Sequence, residues 1–474
     1  MSSLDPRVKE NWKKVQKQHA HPVNAIGMPI DAGDATTIKV WREEGLAKFV
    51  RIASEAKGAD GSKVAVLAAA LFVITAAAGI GGWQLFASKG NEDKAAAEAI
   101  TPEIGITDKE VLLGMSAAFT GPSAELGLGM RAGIEACFQD VNDKGGVQGR
   151  KLRLVSLDDG YEPNRCLDNM HDLLDNQKVF ATIGNVGTPP AKVAVPFSVE
   201  RKRVFFGAYT GAGLLRLTPP DRYVFNYRAS YEEETAAIVK FLAKVKKTPL
   251  DQIAVFAQND AYGDSGFQGV LKIVEQLGGD SKKILRVGYE RNTVNVEAAV
   301  REILRFKNRI KAIVMVPAYK PAAKFIKLLK DENVNVFFAS VSFVNSGALA
   351  NEFKTIGLKY AEGVIVAQVV PHYKYIATSR HDYEDCMRKY SPEQPLGFIS
   401  LEGYTAARVF VMALEKTGRN LTTERFVEAI ESIEDLVLET GGTVTFGPAE
   451  HQGSHTVWGT MLDAQGEYLP LLLN

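Results

Sequence analysis

Cysteine is scarce in this chain, with three among 474 residues: Cys137, Cys166 and Cys386. They are too few and too dispersed for a disulfide framework or a cysteine-rich metal site, and could form one bridge at most. Net charge is missing too. Lys+Arg and Asp+Glu are equal at 56 each, so no overall field draws the chain to nucleic acid or to a strongly acidic partner. The seven histidines form no cluster. His451 and His455 stand at i, i+4 without the acidic residues of a metal-binding signature, and read as a surface coincidence. No solenoid-type repeat is present. What remains is a chain of 46% hydrophobic content, ample for buried cores and long enough for two to four domains.

One long uncharged run stands out. Residues 64–87, "VAVLAAALFVITAAAGIGGWQLFA", carry no charge, and about 20 apolar residues suffice to cross a bilayer as helix. A signal-peptide core is shorter, about 7–15 residues, and is followed by a small-residue cleavage site. Lys48, Arg51, Lys57 and Lys63 precede the run, and the far flank, "SKGNEDKAAAE", is mixed. The positive-inside rule therefore leaves residues 1–62 as a cytoplasmic tail, makes 63–87 a transmembrane helix and sends the rest outside, with Trp83 and Phe86 near the outer interface. Residues 88–107 read as a stalk. The expected placement is a single pass of the inner membrane with a periplasmic or extracellular C-terminal domain.

From Asp108 onward short apolar runs alternate with helical patterns. "EVLLGMS", "KLRLVSL", "VFATIG", "RVFFGA", "RYVFNY", "QIAVFA", "KILRVGY", "KAIVMV", "VNVFFAS" and "EGVIVAQ" have the continuous Val/Ile/Phe/Leu character of strands buried on both faces. In the first helical pattern Leu126, Met130, Ile134, Cys137 and Val141 recur at spacings of four, four, three and four, and Gly145–Gly146 ends it. Such alternation predicts an α/β fold with parallel sheets, and the number of strands calls for two lobes.

Several motifs invite chemistry. In "TGPSAELGLGMRAGIEA", residues 120–136, Gly127, Gly129 and Gly133 approach the dinucleotide fingerprint, but they fall on the helix and not in the turn directly after the strand. Asp158 and Asp159, at the end of the next strand, do not complete that site. "YGDSG" resembles a serine-protease motif but lacks the double-barrel context, and Asp264 and Ser265 read as residues near a helix N-terminus. No catalytic residue, metal or cofactor is expected. More specific is a pair of loops, "IGNVGTPPA" and "FFGAYTGAG", each following a strand and preceding a helix. Their Asn185, Thr188, Ala208 and Thr210 could line a cleft with backbone N–H groups and hydroxyls, suited to a carboxylate or similar polar group.

Beyond Asp108 the chain resembles the type I periplasmic binding proteins of the branched-chain amino acid (Leu/Ile/Val) and amide receptor class. The resemblance rests on "AAFTGPSAELGLGMRAGIEACFQDVNDKGGVQGRKLRLVSLDDGYEPNRC", "IGNVGTPPAKVAVPF", "VFFGAYTGA", "NDAYGDSGFQG", "PAYKPAAKFIK" and "LEGYTAARVFVMAL". It implies two doubly wound parallel-sheet lobes joined by a three-strand hinge within residues 108–474. Lobe 1 would hold about 108–227 and 371–441, and lobe 2 about 228–370 and 442–474, with crossings near Arg228, Val370 and Gly442. It also implies a solute cleft between the lobes. The carboxylate-binding loops would be Asn185 to Thr188 and Ala208 to Thr210, including Tyr209, while Tyr262 and Tyr319 would face the solute from the second lobe. The turn from Thr120 to Leu126, with Ser123, would wall the cleft, its glycines serving close helix packing.

Departures from the family pattern bear on the solute. Val341 and Ser342 stand near the position where amino-acid-binding members carry an acidic residue for the α-ammonium, and a buried unpaired ammonium costs several kcal/mol. Asp260 is the neighbouring candidate to replace that residue. Leu126 stands where some members stack an aromatic, and the family's disulfide positions are Tyr161 and Gly184. The expectation is a non-enzymatic, membrane-anchored receptor for a small amino-acid-like, amide or carboxylate solute, delivering it to an ABC-type permease. The alternative is a ligand-sensing ectodomain that signals to a separate cytoplasmic partner.

Overall fold

The computed structural model describes residues 103–375 and 380–473. The transmembrane segment expected at 64–87, the tail before it and most of the stalk lie outside the described residues. Among the described residues no helix is long and apolar enough to cross a membrane.

All ten expected strands form. The first five are β1 (Glu110–Ala117), β2 (Lys151–Asp158), β3 (Ala181–Ile183), β4 (Val204–Phe206) and β5 (Val224–Phe225), and they make one parallel sheet in the order β2-β1-β3-β4-β5. The next five are β6 (Ile253–Gln258), β7 (Leu285–Tyr289), β8 (Ala312–Val316), β9 (Phe337–Ser340) and β10 (Ile365–Gln368). They repeat that pattern as β7-β6-β8-β9-β10, again parallel. In each sheet the winding reverses beside the first strand of the set, so a crevice opens at the carboxyl ends of β1 and β3 and of β6 and β8.

Helices cover the sheets because their apolar stripes need a partner. Those following the first set are α1 (Ala124–Asp143), α2 (Pro163–His171) and α3 (Thr188–Glu200). Those of the second set are α4 (Tyr231–Lys244), α5 (Ala261–Gln276), α6 (Glu297–Arg305), α7 (Tyr319–Asp331) and α8 (Ser346–Ile356). After β10 come α9 (Arg380–Tyr390), α10 (Phe398–Thr417) and α11 (Thr423–Glu431), and α9 and α10 pack on α1 of the first lobe.

The glycines of the opening stretch set that packing. A Cβ on Gly133 would lie 2.0 Å from the Ser400 carbonyl oxygen of α10, and one on Gly403 would lie 2.3 Å from the Met130 oxygen of α1. Gly127 sits as tightly against the Ala118 carbonyl. They bring helix backbones together, as the sequence suggested, and no phosphate cradle is needed to explain them.

Four short strands go beyond the sequence reading. β11 (Leu436–Val437) and β12 (Thr443–Val444) pair with each other. β13 (Trp458–Leu462) and β14 (Tyr468–Leu471) form an antiparallel hairpin that extends the second sheet from β10. Its turn is held by the Asp463 carboxylate, which accepts from the Gln465 and Glu467 amides at 2.9 and 2.8 Å. Two of the strands passing between lobes run side by side, since the Asn226 amide donates to the His451 carbonyl and the Gly453 amide to the Asn226 carbonyl, both at 2.8 Å. His451 is therefore no surface residue. It is buried, stacks on Phe225 at 3.9 Å and pairs with Glu431 at 3.3 Å.

Candidate functional site

The loops at the two crevices meet. On the first lobe the chain after β1 is shaped by Asp158, whose carboxylate accepts from the Phe119 amide at 2.8 Å, the Thr120 hydroxyl at 2.6 Å and Arg165 at 2.7 Å. Burial alone would raise this carboxyl's pKa; those hydrogen bonds outweigh it and hold the group well below the usual range. Asp159 turns inward to the Ser116 hydroxyl at 2.7 Å and the Tyr161 amide at 2.8 Å, and burial pushes its pKa up to about 6. Both acids are thus taken up in building the loop.

The loops after β3 and β4 lock onto each other. The Tyr209 amide donates to the Asn185 carbonyl at 2.8 Å, the Gly187 amide to the Tyr209 carbonyl at 3.2 Å, and the Thr210 amide to the Ala208 carbonyl at 2.8 Å. These three N–H groups, from loops expected to face a solute, are satisfied within the loops. The Thr188 and Thr210 hydroxyls lie 2.7 Å apart. The Asn185 side-chain oxygen is buried without a hydrogen-bond partner.

From the second lobe, Asp260 caps α5 by accepting from the Tyr262 amide at 3.0 Å, and it also accepts from Gln258 at 2.6 Å and faces Arg291 at 3.6 Å. With these partners it is not a free carboxylate for an ammonium. Tyr262 and Tyr319 follow β6 and β8 and are both buried. Burial raises the Tyr319 hydroxyl's pKa to about 12, while Glu125 of the first lobe acts both ways, its charge raising it and its backbone hydrogen bond lowering it.

The loop after β9 carries a contact between lobes inside the cleft. The Tyr209 hydroxyl donates to the Ser342 carbonyl at 3.0 Å. Ser342 in turn gives its amide, at 2.6 Å, and its hydroxyl, at 3.0 Å, to Glu234 of α4. A carboxylate therefore does reach the Val341–Ser342 position, brought from another element. Glu234 pairs with Arg228 at 3.0 Å, and Arg228 stands 3.3 Å from Glu402 of α10 and also contacts the Ser342 hydroxyl. This arginine and its two glutamates are almost fully buried. Burial alone would lower the guanidinium's pKa, but Glu402 and Glu234 outweigh it and raise the pKa above its usual value. Burial also raises both carboxyls, against the pull of Arg228, Glu402 to about 7.

Phe343 fills the space beside Ser342. Its ring lies 5.2 Å from Tyr209, 4.5 Å from Tyr262, 6.0 Å from Tyr161 and 6.5 Å from Tyr231. At the rim, Glu162 accepts from Arg291 and Asn292 at 2.7 Å each, and Asn292 also donates to the Gly160 carbonyl at 3.0 Å. The Ser123 hydroxyl joins this rim 3.4 Å from the Asn292 side chain.

Of the expected site residues, Asn185, Ala208 and Tyr209 share backbone-paired loops with Thr188 and Thr210, and Tyr209, Tyr262 and Ser342 converge on Phe343. Ser123 belongs to the rim and Tyr319 stands near Glu125. Leu126 is enclosed in the hydrophobic core. Tyr161, at a family disulfide position, instead packs its ring where a Cβ on Gly187 would sit, 2.2 Å from it. Arg228, Glu234, Glu402, Tyr231 and Phe343 were not anticipated as site residues. Glu234 and Glu402 did carry a signal, each being a charge set in an otherwise apolar helical stripe, with Ile238 and Phe241 or with Ala406 and Val409.

A family model for periplasmic binding proteins matches residues 110–467. The chain belongs to that family. Within it the likeness is to the type I, branched-chain amino acid group. A possible leucine/isoleucine/valine-binding protein from Rhodopirellula baltica SH 1 superposes with a TM-score of 0.73 at 39% identity, covering 79% of this chain and 98% of that one. The Leu/Ile/Val-binding protein BraC3 of Rhizobium johnstonii is 23% identical over 71% of this chain and 88% of its own. An amino acid binding protein of Pseudomonas aeruginosa is 22% identical over 54% of this chain, a match spanning 66% of that protein. The paired crevices of this periplasmic binding protein are those of its fold.

Proposed function

We propose that this protein is a non-enzymatic extracytoplasmic receptor, tethered to the membrane by residues 64–87, that captures a small carboxylate or amide solute by closure of its lobes. In this reading Thr188, Thr210 and Asn185 meet the polar end of the solute, Tyr209, Ser342 and Tyr262 enclose its body, and the loaded form serves an ABC-type permease. The relatives named for amino-acid binding support the solute's size and polarity. The observation that carries the reading is the direct bond across the cleft, Tyr209 hydroxyl to Ser342 carbonyl, amid buried polar groups of which the Asn185 oxygen has no partner. Burying such an atom without a partner costs about 1–3 kcal/mol, so a solute that brings it an N–H or O–H donor, as an amide does and an ionised carboxylate does not, favours the closed form.

The test is a thermal-shift screen of the full chain in detergent against amino acids, amides and small carboxylates. A solute at 100 times its dissociation constant adds about 2.7 kcal/mol of stability. The expected result is a shift from one chemical class that Thr210→Ala abolishes. A shift that survives Thr210→Ala and Tyr262→Ala alike would place the solute elsewhere.

A further inference from the structure

Phe343 is an unusual wall for a solute cleft because it stands in the middle of it. Its ring is enclosed by Tyr209 and Tyr161 of the first lobe, Tyr262 of the second and Tyr231 at the start of α4 beside the first crossing, and all five rings are 1% exposed or less. It comes from a three-residue turn between β9 and α8, so its side chain is tied into neither strand nor α-helix. A ring held by offset and tilted aromatic neighbours is a geometry that favours another planar ring in the same seat.

The polar atoms around that seat do not match a phenyl group. The Arg228 Nε is buried with no hydrogen-bond partner, and Arg228 Nη1 has ion-pair proximity to Glu402 but no hydrogen bond. The guanidinium lies over the Tyr209 ring at 4.9 Å and over Tyr231 at 5.8 Å, at the border of the cage. These are donors awaiting an acceptor, and a hydrocarbon ring offers none.

We propose that Phe343 is a built-in occupant of the solute seat, displaced when an aromatic carboxylate enters, with the ligand's ring in the tyrosine cage and its carboxylate on Arg228. The inference rests on the receptor reading above, narrows it to one solute class, and moves the solute's carboxylate from the Thr188 and Thr210 loops to Arg228. An α-amino acid suits the seat less well: the carboxylate nearest Ser342, Glu234, is already bound by the Ser342 amide and hydroxyl and by Arg228. The Glu402 carboxyl, raised to about 7 by burial, can take up a proton to accommodate the added negative charge.

The test is calorimetric titration of the full chain in detergent, as wild type, Phe343→Ala and Phe343→Leu, with benzoate, cyclohexanecarboxylate, L-leucine and benzene. Wild type is expected to bind benzoate at least tenfold more tightly than cyclohexanecarboxylate or L-leucine. Phe343→Ala should bind benzoate at least tenfold more tightly than wild type, and benzene at least tenfold more weakly than benzoate. If Phe343→Ala does not fold, Phe343→Leu and the wild-type ranking decide. Benzene matching benzoate in Phe343→Ala would show an ordinary core cavity, and L-leucine outranking benzoate in wild type would show an aliphatic site. Either overturns this inference and leaves the receptor reading standing. No binding of any of the four, with no shift in the wider solute screen, overturns both.

Discussion

Gly133→Ala puts the reading of the opening glycines to a quantitative test. An added Cβ would stand 2.0 Å from the Ser400 carbonyl oxygen and 2.7 Å from the Tyr404 amide nitrogen, both backbone atoms of α10. Ordinary contact needs about 3.5 Å, so α1 and α10 would have to part by about 1 Å or more, which the reciprocal approach of Gly403 to Met130 resists. Overpacking of this kind costs about 1–3 kcal/mol, and a backbone obstacle belongs at the upper end. Alanine recovers about 0.5–1 kcal/mol through helix propensity. The net expectation is a loss of about 2 kcal/mol in urea unfolding of the full chain. Gly213→Ala is the control: nothing lies within 4 Å of its Cβ position, and a change within about 0.5 kcal/mol is expected. Equal stability of the two variants would refute the close-packing account of the motif.

Three further outcomes follow from the ion pairs. Burial raises the Glu402 pKa from 4.5 to about 7, so the folded state holds a proton that the unfolded state releases, and stability should fall as pH rises from about 4.5 to 7. Glu402→Gln should match wild type near pH 4.5 and exceed it at pH 8, by up to about 3 kcal/mol in denaturant titrations; parallel pH curves would contradict this. His455 lies 2.6 Å from Glu233, whose hydrogen bond raises the imidazole's pKa above 6.5. That contribution is complete below pH 6.5 and is lost as pH rises through the raised pKa. Its size is below about 1 kcal/mol for so exposed a pair, and His455→Ala should remove this part of the pH dependence. Glu162→Ala deletes the rim bonds to Arg291 and Asn292 and should weaken solute affinity about fivefold, with urea unfolding little changed; unaltered affinity would show that the rim does not hold the closed form.

The ten parallel strands were legible because strands covered by helices on both faces must be apolar throughout, which makes them continuous runs such as "QIAVFA". The terminal hairpin escaped because β13 and β14 are half-exposed and antiparallel, and "WGTML" lacks such a run. Candidate site residues placed by a strand end, such as Thr188 and Thr210, could be read from the loop after each run, whereas Tyr262 came from the family resemblance. Glu234, Glu402 and Phe343 could not be assigned to the site in that way. Their convergence depends on how helices and turns from different parts of the chain fold onto one seam, and sequence shows only the oddity of a carboxylate in an apolar stripe. The two histidines illustrate the same limit: spacing alone suggested surface residues, whereas the side-by-side crossing strands bury His451.

The most direct test of the central claim is a structure of the full chain bound to whichever solute shifts its melting most. The expected result is a solute between Tyr209 and Tyr262, its polar end within hydrogen-bond distance of Thr188, Thr210 or Arg228. A solute seated on the outer face of either lobe, with the seam between Tyr209 and Ser342 unchanged, would contradict the claim that the cleft is the binding site.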